Sequence, residues 1–336
     1  VRLLGALGVV SHICFGCETA DLTVLTRTAA AIDSPQVAAK LHQRLSAGCT
    51  YAAALAQALD ESGVAPVNLT GSPNNILAIE YIRAIHNYAP QLTPLPIKRQ
   101  QAGYHDLTIN GDIASSSAIR RALLTHRTLD SATARTLPPT SIEIINKLLA
   151  TGQGPITLAA YEQMILARLR TADLDDLAQL PDVGEGLHFS IHKAAREASD
   201  ITSLLSRCKS KRYTQTRLQR ILIHTLLGTT KQQLRHWDTT GPLYARVLAF
   251  NDRGRKLLKI IKSKAAIPVI TKTADFLNSN TARFRPLTDP QQMLALDILA
   301  SDLYVLGFPQ AQWRTGGWDY LHSPVYVTIQ PDQVGL

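Results

Sequence analysis

The chain has 336 residues, 45% of them hydrophobic and 18% charged, with a formal net charge of +9 at pH 7. That length suits about two domains of ordinary size. The composition is that of a folded globular protein, and no apolar run reaches the ~18 residues that a membrane span needs. No secretory leader is visible in "VRLLGALGVV", so the expected location is the cytoplasm, with no membrane partner. Charge is uneven along the chain: residues 1–150 carry 12 Lys/Arg against 10 Asp/Glu, while residues 151–336 carry 23 against 16. A basic second half points to a polyanion, nucleic acid first; the alternative is a well-solvated surface. Cys14 and Cys17 have the C-x-x-C spacing of redox and zinc sites, but neither a second pair nor a His cluster completes a ligand set. Inert thiols are expected, and no protein metal site.

In chain order, "VRLLGALGVV" reads as helix, and Val10, Ile13 and Phe15 before Gly16 read as a short buried strand ending in a tight turn. Helical patterns start at Ser34, Thr50 and Pro73. In the last, Ile76, Ile79 and Ile82 recur on one face, with Pro73 in the first turn. "LTPLPIKR" is extended, because two prolines exclude helix. A further helix opens at "IASSSAIRRALL", from Ile113. This alternation is the rhythm of a parallel α/β layer. A polar stretch over residues 125–140 marks a junction, with domains expected at 1–127 and 128–336. The second half reads as mostly helical: "SIEIINKLLATG", "LAAYEQMILARLRT", "KAAREASDITSLLSRC" and "TRLQRILIHTLLG". Two β-like runs, "RVLAF" and "IPVIT", flank the basic "NDRGRKLLKIIKSK" as a small α/β piece.

The serines carry the chemistry. A helix amino end offers unpaired N–H groups and partial positive charge, which attract phosphate. Ser115, Ser116 and Ser117 are cap residues with hydroxyls to add, and Arg120 lies one turn on, able to fork onto the same anion. Ile119, Ala122, Leu123 and Leu124 would hold the helix down. One serine is explained by capping; three with the arginine are better explained by an anion.

"ASSSAIR" resembles the S-S-T-x-I-R signature of HIGH-type nucleotidyltransferases, with Ala114 where Ile is usual and Ser117 where Thr is usual. Five other blocks stand in one order with it: "FGCE" from Phe15, "GSPNNILAIEYIRA" from Gly71, "PIKRQQAGYHD" from Pro96, "EGLHFSI" from Glu185 and "KRYTQTRLQRILIHTLLG" from Lys211. Together they resemble the bacterial tRNA(Met) cytidine acetate ligase family across nearly the whole chain.

The resemblance implies an α/β fold, a partial Rossmann-like HIGH nucleotidyltransferase domain followed by a mostly α-helical C-terminal domain that binds tRNA. It implies activation of acetate by ATP, with Mg2+ accompanying the nucleotide, release of pyrophosphate, and acetylation of the wobble cytidine of elongator tRNA(Met) to N4-acetylcytidine. ATP would be held by Gly16, where a Cβ would obstruct the nucleotide, by Asn74, by Arg99 at a strand's carboxyl end, and by Ser115, Ser116, Ser117 and Arg120. Asn74 as a plain helix cap and Arg99 as a surface residue are the competing readings; Tyr104, His105 and Asp106 receive no role. The family's H-x-G-H loop does not occur in this chain. The expectation is therefore an N-terminally incomplete chain that alone forms little or no acetyl-adenylate.

For tRNA, "RCKSKRYTQTRLQR" carries six positive charges and no acid. Lys209, Lys211, Arg212, Arg217 and Arg220 would meet phosphates, and Tyr213 would stack on an unpaired base. "NDRGRKLLKIIKSK" is a lesser second cluster. Two readings compete: a small-molecule adenylyltransferase, for which the basic half has no use, and a non-catalytic tRNA-binding remnant.

Overall fold

The computed structural model describes residues 1–63, 69–99, 108–109, 111–210, 212–278 and 286–328. The first stretch runs α1 (Arg2–Ala6), β1 (His12–Cys17), α2 (Leu22–Ile32), α3 (Pro35–Ser46), α4 (Tyr51–Asp60), α5 (Pro73–Tyr88) and β2 (Thr93–Lys98). Asp21, Ser34 and Thr50 start α2, α3 and α4, each side chain accepting from the N–H three residues on, as cap residues do. Strand β1 alternates: Ile13, Phe15 and Cys17 are buried, while His12, Cys14 and Gly16 are exposed. Ala78, Ile79, Ile82 and Ile85 of α5 pack into the same core as Ile13 and Phe15. Strand β2 pairs with β1 in parallel, from His12↔Thr93 to Cys17↔Lys98. Its two prolines fit because the N–H of Thr93 points to β1, donating to Ser11 at 2.8 Å. Pro94, one residue on, turns its missing donor the other way, and Pro96 does likewise.

Helices follow: α6 (Ser116–His126), α7 (Ser131–Arg135), α8 (Pro139–Ala150), α9 (Glu162–Thr171), α10 (Leu174–Gln179), α11 (Leu187–Glu197), α12 (Ile201–Cys208), α13 (Gln215–Leu227) and α14 (Lys231–Thr240). The pattern "KAAREASDITSLLSRC" suggests one helix, yet the chain breaks it. Asp200 caps α12, accepting from Ser203 N–H at 2.7 Å while the Ser203 hydroxyl closes a capping box. Ile165, Leu169, Ile191, Leu204 and Ile221 form the fully buried centre of this helical part.

The chain ends with β3 (Ala245–Arg246), β4 (Ala249–Phe250), α15 (Asp252–Lys264), β5 (Val269–Ile270), α16 (Thr273–Phe276), α17 (Asp289–Val305), α18 (Trp318–Leu321) and β6 (Val325–Tyr326). Strands β3 and β5 pair in parallel, as do β4 and β6. Among the described residues no helix is long and apolar enough to cross a membrane.

The chain packs as two compact units: Val1–Arg99 with Trp237–Pro290 and Ser323–Leu336, and Gln100–His236 with Gln291–His322. Neither is a single stretch, which differs from one boundary between residues 127 and 128. The physical reason is long-range pairing. In the first unit Ala266 N–H donates to the Ala6 carbonyl at 2.8 Å, and the Arg2 guanidinium donates to the carbonyls of Asp238 and Thr239 at 3.1 and 2.9 Å. In the second unit the Tyr161 hydroxyl donates to the Tyr304 carbonyl at 2.8 Å.

Candidate functional site

In the first unit, the carboxyl ends of β1 and β2 gather three of the expected ATP residues. Gly16 lies on the open face of β1, and a Cβ there would stand 3.3 Å from Arg99 Cγ. Arg99 directly follows β2, with Nε 3.8 Å from Glu18 Oε1. Asn74 Nδ2 donates to the same Oε1 at 2.7 Å. Ser72, not Asn74, occupies the cap position of α5, so Asn74 is not a plain cap. Glu18 joins the group, and its Oε2 is enclosed without a hydrogen-bond partner among the described residues. An acceptor-only oxygen left in that state suits a ligand hydroxyl or cation.

Beneath them lies Asn75, 2% exposed. Its Oδ1 accepts from the backbone N–H groups of Glu18 and Thr19 at 3.0 and 2.9 Å, and its Nδ2 donates to the Leu69 carbonyl at 2.9 Å. The turn after β1 is thereby tied to α5. Sequence reasoning missed both Glu18 and Asn75 as site residues. The only signal was the doubled Asn of "SPNN", and helical neighbours point about 100° apart, so pattern alone does not tell which faces in.

In the second unit, Ser115 is the cap of α6, its Oγ accepting from Ala118 N–H at 3.0 Å. Ser116 and Ser117 are the first helical residues, no acid stands in the first turn, and Ser116 is exposed. Arg120 is exposed, with Nη2 3.5 Å from Ser117 Oγ and no acidic partner among the described residues. The helix is held less firmly than its pattern suggests: Ala118 alone is buried, Ile119, Ala122 and Leu123 are half-buried, and Leu124 is 46% exposed. Tyr104, His105 and Asp106 lie outside the described residues. Cys14 is exposed and Cys17 buried, because residues three apart on a strand face opposite sides. Among the described residues no group of three or more His, Cys, Asp or Glu is placed to hold a metal.

A family model described as HIGH Nucleotidyl Transferase matches residues 1–317. A tRNA(Met) cytidine acetate ligase of Acetivibrio thermocellus is 34% identical over 333 residues, which is 96% of this chain and 78% of the relative. The chain belongs to the tRNA(Met) cytidine acetate ligase family. A second member, from Caldanaerobacter subterraneus, is 34% identical over 312 residues, covering 92% of this chain and 74% of its own. The crystal structure of apo Thermotoga maritima TmcAL superposes with a TM-score of 0.86 at 26% identity, covering 97% of this chain and 79% of that one. The form bound with alpha-thio ATP gives 0.85 at 25%, covering 97% and 78%. The fold is thus that of a HIGH nucleotidyltransferase with a helical region, and by family the chain is an enzyme, a ligase.

In this family member the basic stretch 207–220 is largely engaged with the protein itself. Arg207 pairs with Glu197 at 2.6 Å and Arg212 with Glu185. Arg217 donates through Nε and Nη2 to the Asp182 carbonyl at 3.1 and 2.8 Å, and Arg220 pairs with the Asp182 carboxylate at 2.9 Å. Tyr213 is 8% exposed; its hydroxyl donates to the Gly184 carbonyl at 2.8 Å, and the Arg217 guanidinium covers its ring at 4.8 Å. A ring so covered offers no face to a base, contrary to the expectation for Tyr213. Lys209 is exposed without a partner among the described residues, and Lys211 lies outside them.

Proposed function

We propose that this chain acts in the ATP-dependent acetylation of the wobble cytidine of elongator tRNA(Met). The reading is carried by one observation, the 34% identity over 96% of the chain to a tRNA(Met) cytidine acetate ligase, and the likeness to Thermotoga maritima TmcAL bound with alpha-thio ATP supports its nucleotide. In the proposed reaction an acetate oxygen attacks the α-phosphorus of ATP, forming acetyl-adenylate as pyrophosphate leaves. The cytidine N4 amine then attacks the acetyl carbonyl, AMP departs, and the amine loses a proton to give N4-acetylcytidine.

The roles follow from the chemistry of each group. Ser115 completes the amino end of α6, whose N–H groups, with the hydroxyls of Ser116 and Ser117 and the guanidinium of Arg120, take the phosphate tail. Gly16 leaves room at the strand end, and Asn74 and Arg99 meet the nucleotide beside Glu18. Mg2+ would travel on the phosphates, needing only one or two protein oxygens. Lys209, Lys211, Arg212 and Arg220 are proposed phosphate contacts for tRNA.

The experiment is binding by the 336-residue chain, followed by product analysis. Calorimetry should detect an ATP analogue, and a gel shift should detect elongator tRNA(Met) at low salt. Acetate-dependent pyrophosphate release should be weak, because no H-x-G-H occurs among these residues. Absence of both ATP and tRNA binding would refute the proposal; vigorous release would refute the expectation of weak turnover.

A further inference from the structure

The second basic cluster behaves differently from the first. Helix α15 carries six Lys and Arg against Asp252. Arg255, Lys259 and Lys262 fall on one stripe of it, at spacings of four and three residues. They line a cavity of about 410 Å³ that Lys272, Thr271 and Ser323 complete from two other stretches of the chain. Among the described residues Arg255 has only an exposed pair with Asp252, at 3.1 Å. Lys259, Lys262 and Lys272 make no ion pair or hydrogen bond among the described residues. Crowding unneutralised like charges is unfavourable, and a polyanion laid in the groove relieves it.

One wall of the groove is Phe250, which also lines an adjoining apolar cavity of about 450 Å³ with Val247, Leu257, Ile261 and Val327. Cations beside an aromatic-walled apolar cleft match a nucleic-acid strand, which offers phosphate and base together. A free inorganic anion has no use for the apolar half. A membrane surface would call for a protruding face rather than a concave one.

We infer that the α15 groove is a contact surface for the phosphate backbone of a single-stranded or loop segment of RNA. This deepens the proposed function and rests on its RNA reading.

The test is a Lys259→Gln, Lys262→Gln, Lys272→Gln triple variant, with tRNA affinity measured across a salt titration. Each lost phosphate contact lowers the log–log salt slope by ~0.7 to 0.9, so the triple variant should lose about 2 from the slope and bind at least about tenfold more weakly at low salt. Lys272→Gln alone should remove about a third of that slope change. All three lysines are exposed, so the melting temperature should hold, which separates lost contact from lost fold. If the unaltered chain binds tRNA and the triple variant binds equally with the same slope, the groove assignment fails while the RNA reading stands. If the unaltered chain binds no tRNA at low salt, both fail. If the substitutions abolish binding to tripolyphosphate or to phosphatidylserine vesicles but leave tRNA binding intact, the groove serves that other anion and the inference is overturned.

Discussion

Asn75 shows how one buried amide holds the backbone of a site from beneath. It supplies the acceptor for two consecutive N–H groups, those of Glu18 and Thr19, at the turn where β1 ends. Asn75→Ala leaves two part-buried donors without their acceptor, which costs up to about 1–3 kcal/mol each. Urea unfolding of that variant should show a loss of roughly 2–4 kcal/mol; an unchanged midpoint would mean that water replaces the amide. His224 gives the pH dependence. Burial, opposed by Asp182 and reinforced by Arg220, holds its imidazole below the ordinary value of 6.5, and its Nδ1 lies 2.6 Å from Thr229 Oγ1. The unfolded chain therefore binds the proton more readily than the native one. This contribution to stability is complete above pH 6.5 and is lost as pH falls from there through the lower folded value. Unfolding free energies from pH 7.5 to 5 should fall less steeply in His224→Gln than in the parent; equal slopes would remove His224 from the account.

At the scale of the element, α6 separates capping from binding. Ser115 satisfies Ala118 N–H, so Ser115→Ala should cost about 1 kcal/mol of stability. Arg120 is exposed and its nearest polar contact is the 3.5 Å approach to Ser117, so Arg120→Ala should leave the melting temperature within about 1–2 °C. ATP affinity should nonetheless drop by about tenfold or more, as expected for loss of a charge-assisted bond worth ~1.5–3 kcal/mol. Thermal melts with calorimetry on the two variants check this; an Arg120→Ala protein that binds ATP normally would remove α6 from the nucleotide site. Strand β1 was legible for a similar local reason, since a period of two sorts Ile13, Phe15 and Cys17 from Cys14 and Gly16. The same period sets Cys14 and Cys17 of "CFGC" on opposite faces of the strand. The break between α11 and α12 was also written in the text, in the Asp200–Ser203 spacing, but an unbroken apolar pattern across it hid the capping box.

At the scale of the whole molecule, each unit is closed by residues late in the chain. The first unit needs Asp238, Thr239 and Ala266 for its bonds to Arg2 and Ala6. The second needs Tyr304 for Tyr161, and Trp313, whose indole N–H donates to the Thr151 carbonyl at 2.9 Å. A chain cut to residues 1–236 should therefore melt at a lower temperature and become sensitive to limited proteolysis in both halves. An unchanged melting temperature with a protease-resistant core would show that the late segments are dispensable.

The amino-acid sequence by itself determined what depends on near neighbours: the helical character of the second half, the two-residue alternation of β1, the proline-bearing extended β2, the serine cap of α6, and the ordered blocks that mark the family. Tertiary structure decided what depends on distant partners. It determined that Asn75 is buried beneath Asn74, that Arg217 and Arg220 are held by Asp182 while Lys259 and Lys262 are not, and that residues 237–290 pack with the first hundred. Helix and strand periods are set within a turn or two of chain, whereas the partner of a charge or a buried amide is chosen by whichever remote segment the folded chain brings within about 3 Å.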